Sequence, residues 1–449
     1  MKKTLAIIAC KLVRLIGKPF KRGSSLPGQI ALKIDNNILS KIKLPKIVIA
    51  VSGSNGKTST VEMIKEILTS AGYKVAYNYE GSNQIEGIAT LVLCDANLKG
   101  DCRSDVILME ADERYARFTF KQIIPTHFII TNLYRDQLTR NGNPEEIFKC
   151  LKEAINPNTK LILNGDDPLV NLLSKDHNDT IYFEIDKYLE NDYIGIYDDG
   201  KYCPNCKSVM EYDYRHFGST GSYHCKICGF NHPKYKYHVN SVNLDEGYLL
   251  IDDNFRIELA LKSIYNAYNI LASYALAREL NINSDVIVNC LNNYILKNGR
   301  ATYFKMNNHD GMFVISKHEN STSYNQTLTI IKNDKRNIDV LIVVDAISRK
   351  YFTSETSWLW DIDFNLLNVD NVKNIVLSGQ YASDLALRFE YTDIKQNRII
   401  VKHNIEDAIN YLKNNGDNFV YALTCFSDMN KILEKTEIIK WKSFIFIMI

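Results

Sequence analysis

Residues 47–60 constrain this chain more than any other stretch. Ile47-Val48-Ile49-Ala50-Val51 is a short, β-branched apolar run, the composition of a strand covered on both faces of a parallel sheet. It feeds Ser52-Gly53-Ser54-Asn55-Gly56-Lys57-Thr58-Ser59-Thr60, after which Val61 to Ala71 carries a helical pattern. Strand, glycine turn and helix in that order make a phosphate cradle: glycines let backbone N–H groups face an anion, and the helix N-terminus adds its positive dipole end. Ser54, Asn55, Gly56, Lys57, Thr58 and Ser59 are therefore expected to hold ATP. In this reading Lys57 reaches the β- and γ-phosphates and stabilises the moving charge, and the Thr58 hydroxyl ligates Mg²⁺. The usual eight-residue loop has a glycine where this chain has Val51, so the form here is the shorter G-x-x-G-K-T.

Two further apolar runs, 106–109 and 127–131, lead into Glu110-Ala-Asp112-Glu113 and into Asn132 to Asp136. Parallel sheets collect ligands at the carboxyl ends of their strands, so all three segments are expected at one crevice. An acid there can hold Mg²⁺, and Glu110 is the candidate. For Glu110, Asp112 and Glu113 the competing reading is a solvated strand end.

Ten cysteines need an account, because a secreted chain pairs them and a cytosolic chain spends them on metal or buries them. Cys203-Pro-Asn-Cys206 is followed 18 residues later by Cys225-Lys-Ile-Cys228. Two such turns can aim four thiolates at one Zn²⁺ with no open coordination position, which makes the ion structural. The competing reading is a redox C-x-x-C. Cys10, Cys94, Cys102, Cys150, Cys290 and Cys425 are scattered and read as small apolar groups.

Lys plus Arg total 54 and Asp plus Glu 52, a net +2 that excludes a chain coating nucleic acid. The asymmetry is local: Lys2, Lys3, Lys11, Arg14, Lys18, Lys21, Arg22 and Lys33 all precede the first acid, Asp35. No apolar run reaches the roughly 18 residues of a membrane span, and no A-x-A-like cleavage site follows residues 4–10. The expected compartment is the cytoplasm. Leu5, Ile8, Leu12, Leu15 and Ile16 recur at helical spacing, so the front is a helix that either packs on the body or rests on anionic lipid.

The motifs then run in an order that resembles the Mur ligases and folylpolyglutamate synthases. Asn78-Tyr-Glu80-Gly81-Ser82-Asn83 with Gly87-Ile-Ala-Thr90 resembles their N-x-E-G-x-N…G-I-A-T segment, and Val106 to Glu113 their Mg²⁺-holding strand. Thr131-Asn132 to Leu138 resembles N-x-x-x-D-x-L, and Leu163-Asn164 to Pro168 resembles N-x-D-D-P. Tyr265-Asn266-Ala-Tyr268-Asn269 resembles the Y-N-x-Y-N helix whose asparagines approach adenine. The resemblance implies nucleotide contact for Asn132, Asn266 and Asn269; their other reading is as helix-cap and turn residues.

Only 46 residues precede the first strand, so the domain of about one hundred residues with which ordinary Mur ligases hold a UDP-sugar is expected to be absent. Leu26-Pro-Gly28-Gln-Ile-Ala-Leu-Lys33-Ile-Asp35, the four-cysteine insertion, Ser378-Gly379 to Tyr391 and Ser357-Trp358-Leu359-Trp360-Asp361 resemble instead the MurT family, synthetase subunits of lipid II isoglutaminyl synthases. That resemblance implies ATP-dependent amidation of the D-glutamate α-carboxylate of lipid II through an acyl phosphate, at the inner face of the bacterial membrane. It also implies a GatD-like class I glutaminase as the ammonia source, since no cysteine here sits on a Gly-x-Cys-x-Gly elbow.

The family's acidic loop, approximately N-D-N-x-A-D-G-x-D-x-S-W, is where this chain departs. Ser348 to Ser354 keeps neither its asparagines nor its first aspartates. Glu355 stands at the last one, with Asp361 as the nearby alternative; one of the two would complete the partner's Cys-His pair, and both read equally as solvated loop acids. Lys317 to Gln326 replaces a shorter K-N-P-A-G-x-N-Q, and Thr302 replaces a glutamate after Gly299-Arg300. Two readings compete: a stand-alone amino-acid ligase of the Mur or folylpolyglutamate type, and a zinc-ribbon nucleic-acid module with an ATPase.

The expected architecture is α/β: a basic helical segment over 1–45, a Mur-ligase-type P-loop ATPase domain over 46–297 with the ribbon inserted at about 198–236, and a smaller Rossmann-like domain over 298–449. In the last, apolar runs at Val340–Val344, Asn374–Leu377, Arg398–Val401 and Phe419–Leu423 are the expected strands.

Overall fold

The computed structural model describes residues 1–17, 23–78, 82–189, 192–295, 301–316, 319–345, 355–425, 428–434 and 436–438. Several sequence readings therefore lie outside the described residues: Lys18, Lys21 and Arg22, Glu80-Gly81, the boundary near 298 with Gly299-Arg300, Lys317, and Ser348 to Ser354. The chain divides into two compact units. One holds Met1–Tyr134 and Asn141–Ile295, the other Arg135–Arg140 and Leu296–Ile449.

The first unit opens with helices α1 (Lys2–Gly17) and α2 (Leu26–Ile34) and strand β1 (Ile47–Ser52), followed by α3 (Lys57–Ser70). Strands β2 (Val75–Tyr77), β3 (Val106–Glu110), β4 (His127–Ile130), β5 (Lys160–Asn164) and β6 (Thr180–Ile185) continue it, with α4 (Ile85–Asp95) between β2 and β3. A hairpin, β7 (Glu211–Phe217) and β8 (Thr220–His224), precedes β9 (Tyr237–Asn243), β10 (Tyr248–Ile251) and β11 (Phe255–Glu258). The nine-stranded sheet runs β11-β10-β9-β6-β5-β4-β1-β3-β2, parallel from β2 to β9 and antiparallel at the β10–β11 edge.

Both faces of that sheet are covered, which is why its strands read as unbroken apolar runs. Ile49, Val51, Leu108 and Ile129 pack with α3 and the helix Ile264–Glu279. Val48, Ala50, Ile107, Met109 and Phe128 pack on the opposite side with α1, α2 and α4. After β1 the chain builds β2 and β3 on one side, then crosses to build β4 on the other. The ends of β1, β3 and β4 thus form a topological switch point, the place where such sheets bind ligands.

The N-terminal segment belongs to this unit, but its contact face differs from the periodic stripe in the sequence. Ala6, Ile7, Cys10 and Gly17 are buried, whereas Leu5, Ile8, Leu12, Leu15 and Ile16 are exposed. The small side chains of Ala6, Cys10 and Gly17 let α1 lie close to its neighbours, and larger residues there would hold it off.

The cysteine segment is inserted between β6 and β9, which pair directly in parallel. The β7–β8 hairpin carries Cys203 and Cys206 before it and Cys225 and Cys228 after it.

The second unit adds β12 (Ala301–Met306), β13 (His309–Ser316), β14 (Ile338–Val343), β15 (Val372–Ser378), β16 (Ile399–Lys402), β17 (Phe419–Cys425) and β18 (Glu437–Ile438). Their order is β16-β15-β14-β17-β13-β12-β18. The run from β16 to β13 is parallel and Rossmann-like, and β12 closes on β13 as an antiparallel hairpin. The four strands expected from the apolar runs are β14 to β17; the β12–β13 hairpin is additional.

Candidate active site

The glycine turn sits at the carboxyl end of β1, and two backbone positions there admit only glycine. Gly53 has φ +132°, and a Cβ on it would lie 2.3 Å from Thr131 Oγ1. Gly56 caps α3 at φ +85°, with a Cβ position 2.1 Å from Asn269 Oδ1. The register across the sheet sets Val51 beside Glu110 on β3 and Ser52 beside Ile130 on β4, so all three carboxyl ends stop at one level.

Two charged groups meet the turn. The Thr58 hydroxyl donates to Glu110 Oε2 at 2.8 Å, and Asn83 Nδ2 holds Glu110 Oε1 at 3.1 Å. Asn78 fixes the backbone of Glu110 from both sides, accepting from its N–H at 2.8 Å and donating to its carbonyl at 2.9 Å. Lys57 folds under the turn, donating to the Gly53 carbonyl and pairing with Glu113 Oε2 at 2.9 Å, both side chains buried. A hydroxyl and a carboxylate oxygen at 2.8 Å are the hard donors that Mg²⁺ takes, so Thr58 and Glu110 fit that ion.

The asparagines divide into two kinds. Asn132 braces the turn itself: its Oδ1 accepts from Asn55 N–H at 2.8 Å and its Nδ2 donates to the Asn55 carbonyl at 3.1 Å. Thr131 Oγ1 adds a bond to the same carbonyl at 2.7 Å. Asn269 accepts from Thr60 at 3.4 Å and abuts Gly56. Asn266, next to it on the helix Ile264–Glu279, is different: its Nδ2 is buried and has no partner among the described residues. A buried amide left unpaired costs about 1–3 kcal/mol, which an adenine acceptor would relieve. Ser54 bonds both the N–H and the carbonyl of Tyr134, while Ser59 lies in the first turn of α3.

The inserted hairpin reaches this region. Phe217 packs 4.3 Å, centroid to centroid, from Tyr265 and 5.4 Å from Tyr134. Behind them Asp166 accepts from Tyr268 Oη at 2.6 Å and from the Ile185 N–H at 2.9 Å, and faces His232 Nε2 at 2.8 Å. The other nitrogen of His232 faces Glu184 at 3.2 Å. Burial and the Asp166 charge push the Glu184 carboxyl up to about 8. For His232 burial works against the charged ring, but the Asp166 hydrogen bond and both acids prevail and raise its pKa. The His232 ring shared between Asp166 and Glu184 roots the insertion on β5 and β6, and Asp166 ties it through Tyr268 to the asparagine-bearing helix.

The four cysteines come together. Cys203 and Cys228 Sγ are 3.7 Å apart, Cys206 and Cys225 3.6 Å, and all four lie within 4.8 Å of one another as free thiols. A tetrahedron with Zn–S bonds of about 2.3 Å has sulfurs about 3.8 Å apart, so the set fits zinc. The Ser208 hydroxyl draws the Cys225 pKa down to about 6, whereas burial pushes that of Cys203 up to about 12.

Glu355 and Asp361 lie in the second unit. The exposed Glu355 accepts from the Ser357 N–H at 2.7 Å, which lowers its pKa and caps the short 3₁₀ turn Ser357–Asp361. Asp136 is grouped with that unit too and accepts from Asn320 Nδ2 at 2.7 Å. Sequence reasoning left Glu113 as a solvated acid and gave Asn83 and Thr131 no individual role; only a pairing partner in space distinguishes them.

A phosphate turn on a doubly covered parallel sheet, with a hydroxyl and a carboxylate placed for Mg²⁺, defines an ATP-dependent ligase of the Mur class, and residues 51–277 match the Mur ligase middle domain. Residues 318–429 match the MurT ligase C-terminal domain. The chain is 31% identical over 407 residues, 90% of each protein, to the MurT subunit of lipid II isoglutaminyl synthase (glutamine-hydrolyzing) from Staphylococcus aureus (strain COL). Its identity to the corresponding Streptococcus pneumoniae R6 subunit is 27% over 442 residues, 97% of each. This chain belongs to the MurT family. Solved structures share the fold: a pseudomurein peptide ligase type C from Methanothermus fervidus (TM-score 0.70, 24% identity, 89% of this chain and 81% of that one) and MurF from Acinetobacter baumannii (0.64, 17%, 90% and 80%).

Proposed function

We propose that this chain amidates the α-carboxylate of D-glutamate in the lipid II stem peptide, giving D-isoglutamine, at the inner face of the bacterial membrane and with ammonia from a GatD-like class I glutaminase. The observation that carries the reading is the convergence of Lys57, Thr58 and Glu110 on one glycine turn, in a chain whose relatives are named as subunits of lipid II isoglutaminyl synthase.

A carboxylate is a poor acyl donor because its leaving group would be oxide. Transfer of the γ-phosphoryl group of ATP onto one carboxylate oxygen makes an acyl phosphate, whose leaving group is phosphate. Ammonia attacks the acyl carbon, the C–O bond to phosphate breaks, a proton leaves the nitrogen, and the amide remains with ADP and inorganic phosphate. The turn's N–H groups and the α3 N-terminus hold the phosphates. Mg²⁺ on Thr58 and Glu110 would neutralise charge on the transferring group. Lys57 does the same from the other side once its ammonium exchanges Glu113 for a phosphate oxygen, leaving Glu113 with the Asn141 amide, 3.3 Å away. Asn83 and Asn78 keep Glu110 from swinging, and Asn132 and Thr131 hold the turn open by its Asn55 carbonyl. Zn²⁺ on the four thiolates is structural, and Glu355 or Asp361 serves the partner's histidine.

The test is to incubate the purified chain with lipid II, ATP, Mg²⁺ and ammonium and weigh the product. The expected product is lighter by the difference between a hydroxyl and an amino group, and Lys57→Ala abolishes it without changing zinc content. A product heavier than lipid II by one residue of an added amino acid would support the stand-alone ligase instead.

A further inference from the structure

α1 is apolar on two faces, and only one of them is used. Ala6, Ile7, Cys10 and Gly17 pack on the body. Turned away from it are Met1, Leu5, Ile8, Leu12, Leu15 and Ile16, with Leu15 74% and Ile16 66% exposed. At about 100° per residue these six fall in one stripe, with Lys2 beside one edge and Lys11 beside the other. Single exposed leucines are ordinary, but six large apolar side chains in register on one helix are not.

We propose that this face of α1 is an interfacial anchor that lies on an anionic lipid bilayer. Charge chooses the occupant. The first 34 residues carry eight lysines and arginines and no acid, in a chain whose overall balance is only +2. Lys3, Lys11 and Arg14 donate to the carbonyls of Lys99, Cys94 and Gly23, which fixes cationic groups beside the helix while the stripe itself stays apolar. A strip of Met, Leu and Ile flanked by cations matches the boundary between acyl chains and anionic headgroups. At 16 residues α1 is too short to cross a bilayer, and no helix among the described residues is long and apolar enough to do so, so the helix lies in the surface plane. The far side of the same helix borders a cavity of about 350 Å³ that runs from Arg14 to Asn78 and Ser82, and Asn78 is the residue that holds the Glu110 backbone.

The inference deepens the proposed function by naming how a lipid-linked substrate is met, but its test needs no such substrate. The full-length chain is co-sedimented with vesicles of phosphatidylcholine alone and of phosphatidylcholine with phosphatidylglycerol. Binding to the anionic vesicles is expected, weakening at least tenfold as salt rises from about 50 to about 500 mM. Binding of Leu12→Glu/Leu15→Glu is expected to fall at least tenfold, while its melting temperature, zinc content and ATP affinity are retained. Amidation of detergent-solubilised lipid II by that variant stays at the wild-type rate, so loss of vesicle binding and loss of the chemistry are separate results. Wild-type protein that stays in the supernatant with anionic vesicles, or a double variant that binds them as well as wild type, overturns the proposal. So does a wild-type dimer in light scattering that the double variant converts to monomer, since the stripe would then cover a second copy.

Discussion

Replacing Lys57 by methionine should do two separable things. Lys57 and Glu113 form an ion pair whose side chains are only 6% and 3% exposed, and the Asn141 amide also donates to the glutamate. Deleting the lysine leaves a buried carboxylate without its cation, a situation that costs about 3–5 kcal/mol. The first unit, at roughly 290 residues, has an unfolding entropy of about 0.6 kcal/mol/K, so the transition should fall by about 5–8 °C. Glu113→Gln added to Lys57→Met removes the stranded charge and should recover more than half of that loss. ATP-dependent turnover stays absent in both, because phosphate binding has lost its cation either way. Differential scanning fluorimetry without nucleotide, read beside an ADP-release assay, measures both effects. The reasoning is refuted if Lys57→Met melts within about 1 °C of wild type, or if Glu113→Gln adds to its destabilisation.

Other outcomes follow from single sites. Gly56→Ala should weaken MgATP binding by tenfold or more in calorimetry, because a left-handed residue costs about 1–2 kcal/mol and the new methyl would press on Asn269; unchanged affinity would contradict the cradle. Glu279 is buried, which pushes its carboxyl up, but Lys160, Lys236 and Tyr237 hold it by hydrogen bonds and bring it down from 4.5 to about 2. Its stabilisation is therefore complete above pH 4.5 and lost as pH falls toward about 2, so Glu279→Gln should flatten the acid limb of thermal stability over that window. Cys228→Ser should lower zinc content by elemental analysis and expose the β7–β8 amides to hydrogen exchange; full zinc occupancy in that variant would count against the four-thiolate site.

The phosphate turn was legible because its signals are local: β1 is a continuous apolar run, and Gly53 and Gly56 stand where positive φ is needed. The cysteine set was legible from spacing alone, and its sulfur separations match a metal tetrahedron. Pairings between distant strands were not. Glu113 reads as a solvated acid until β3 lies beside β1 and brings it to Lys57, 56 residues away in sequence. Asn132 reads from sequence as either a nucleotide contact or a turn residue, and its bracing of Asn55 shows only once β4 flanks the turn. In α1 the period identified a helix but not which of two apolar faces was inside; side-chain size decided that. The β12–β13 hairpin had a signal, Asn307-Asn308 between two β-rich runs with Asn307 at φ +53°, that the longer apolar strands overshadowed.

The central claim is that the turn ending in Lys57 moves a phosphoryl group onto a carboxylate before nitrogen arrives. Lipid II carrying ¹⁸O at both oxygens of the D-glutamate α-carboxylate, turned over with ATP, Mg²⁺ and ammonium, tests it directly by mass spectrometry of the released phosphate. The account predicts one ¹⁸O transferred into inorganic phosphate for each amide formed. Amide formation with unlabelled phosphate would contradict it.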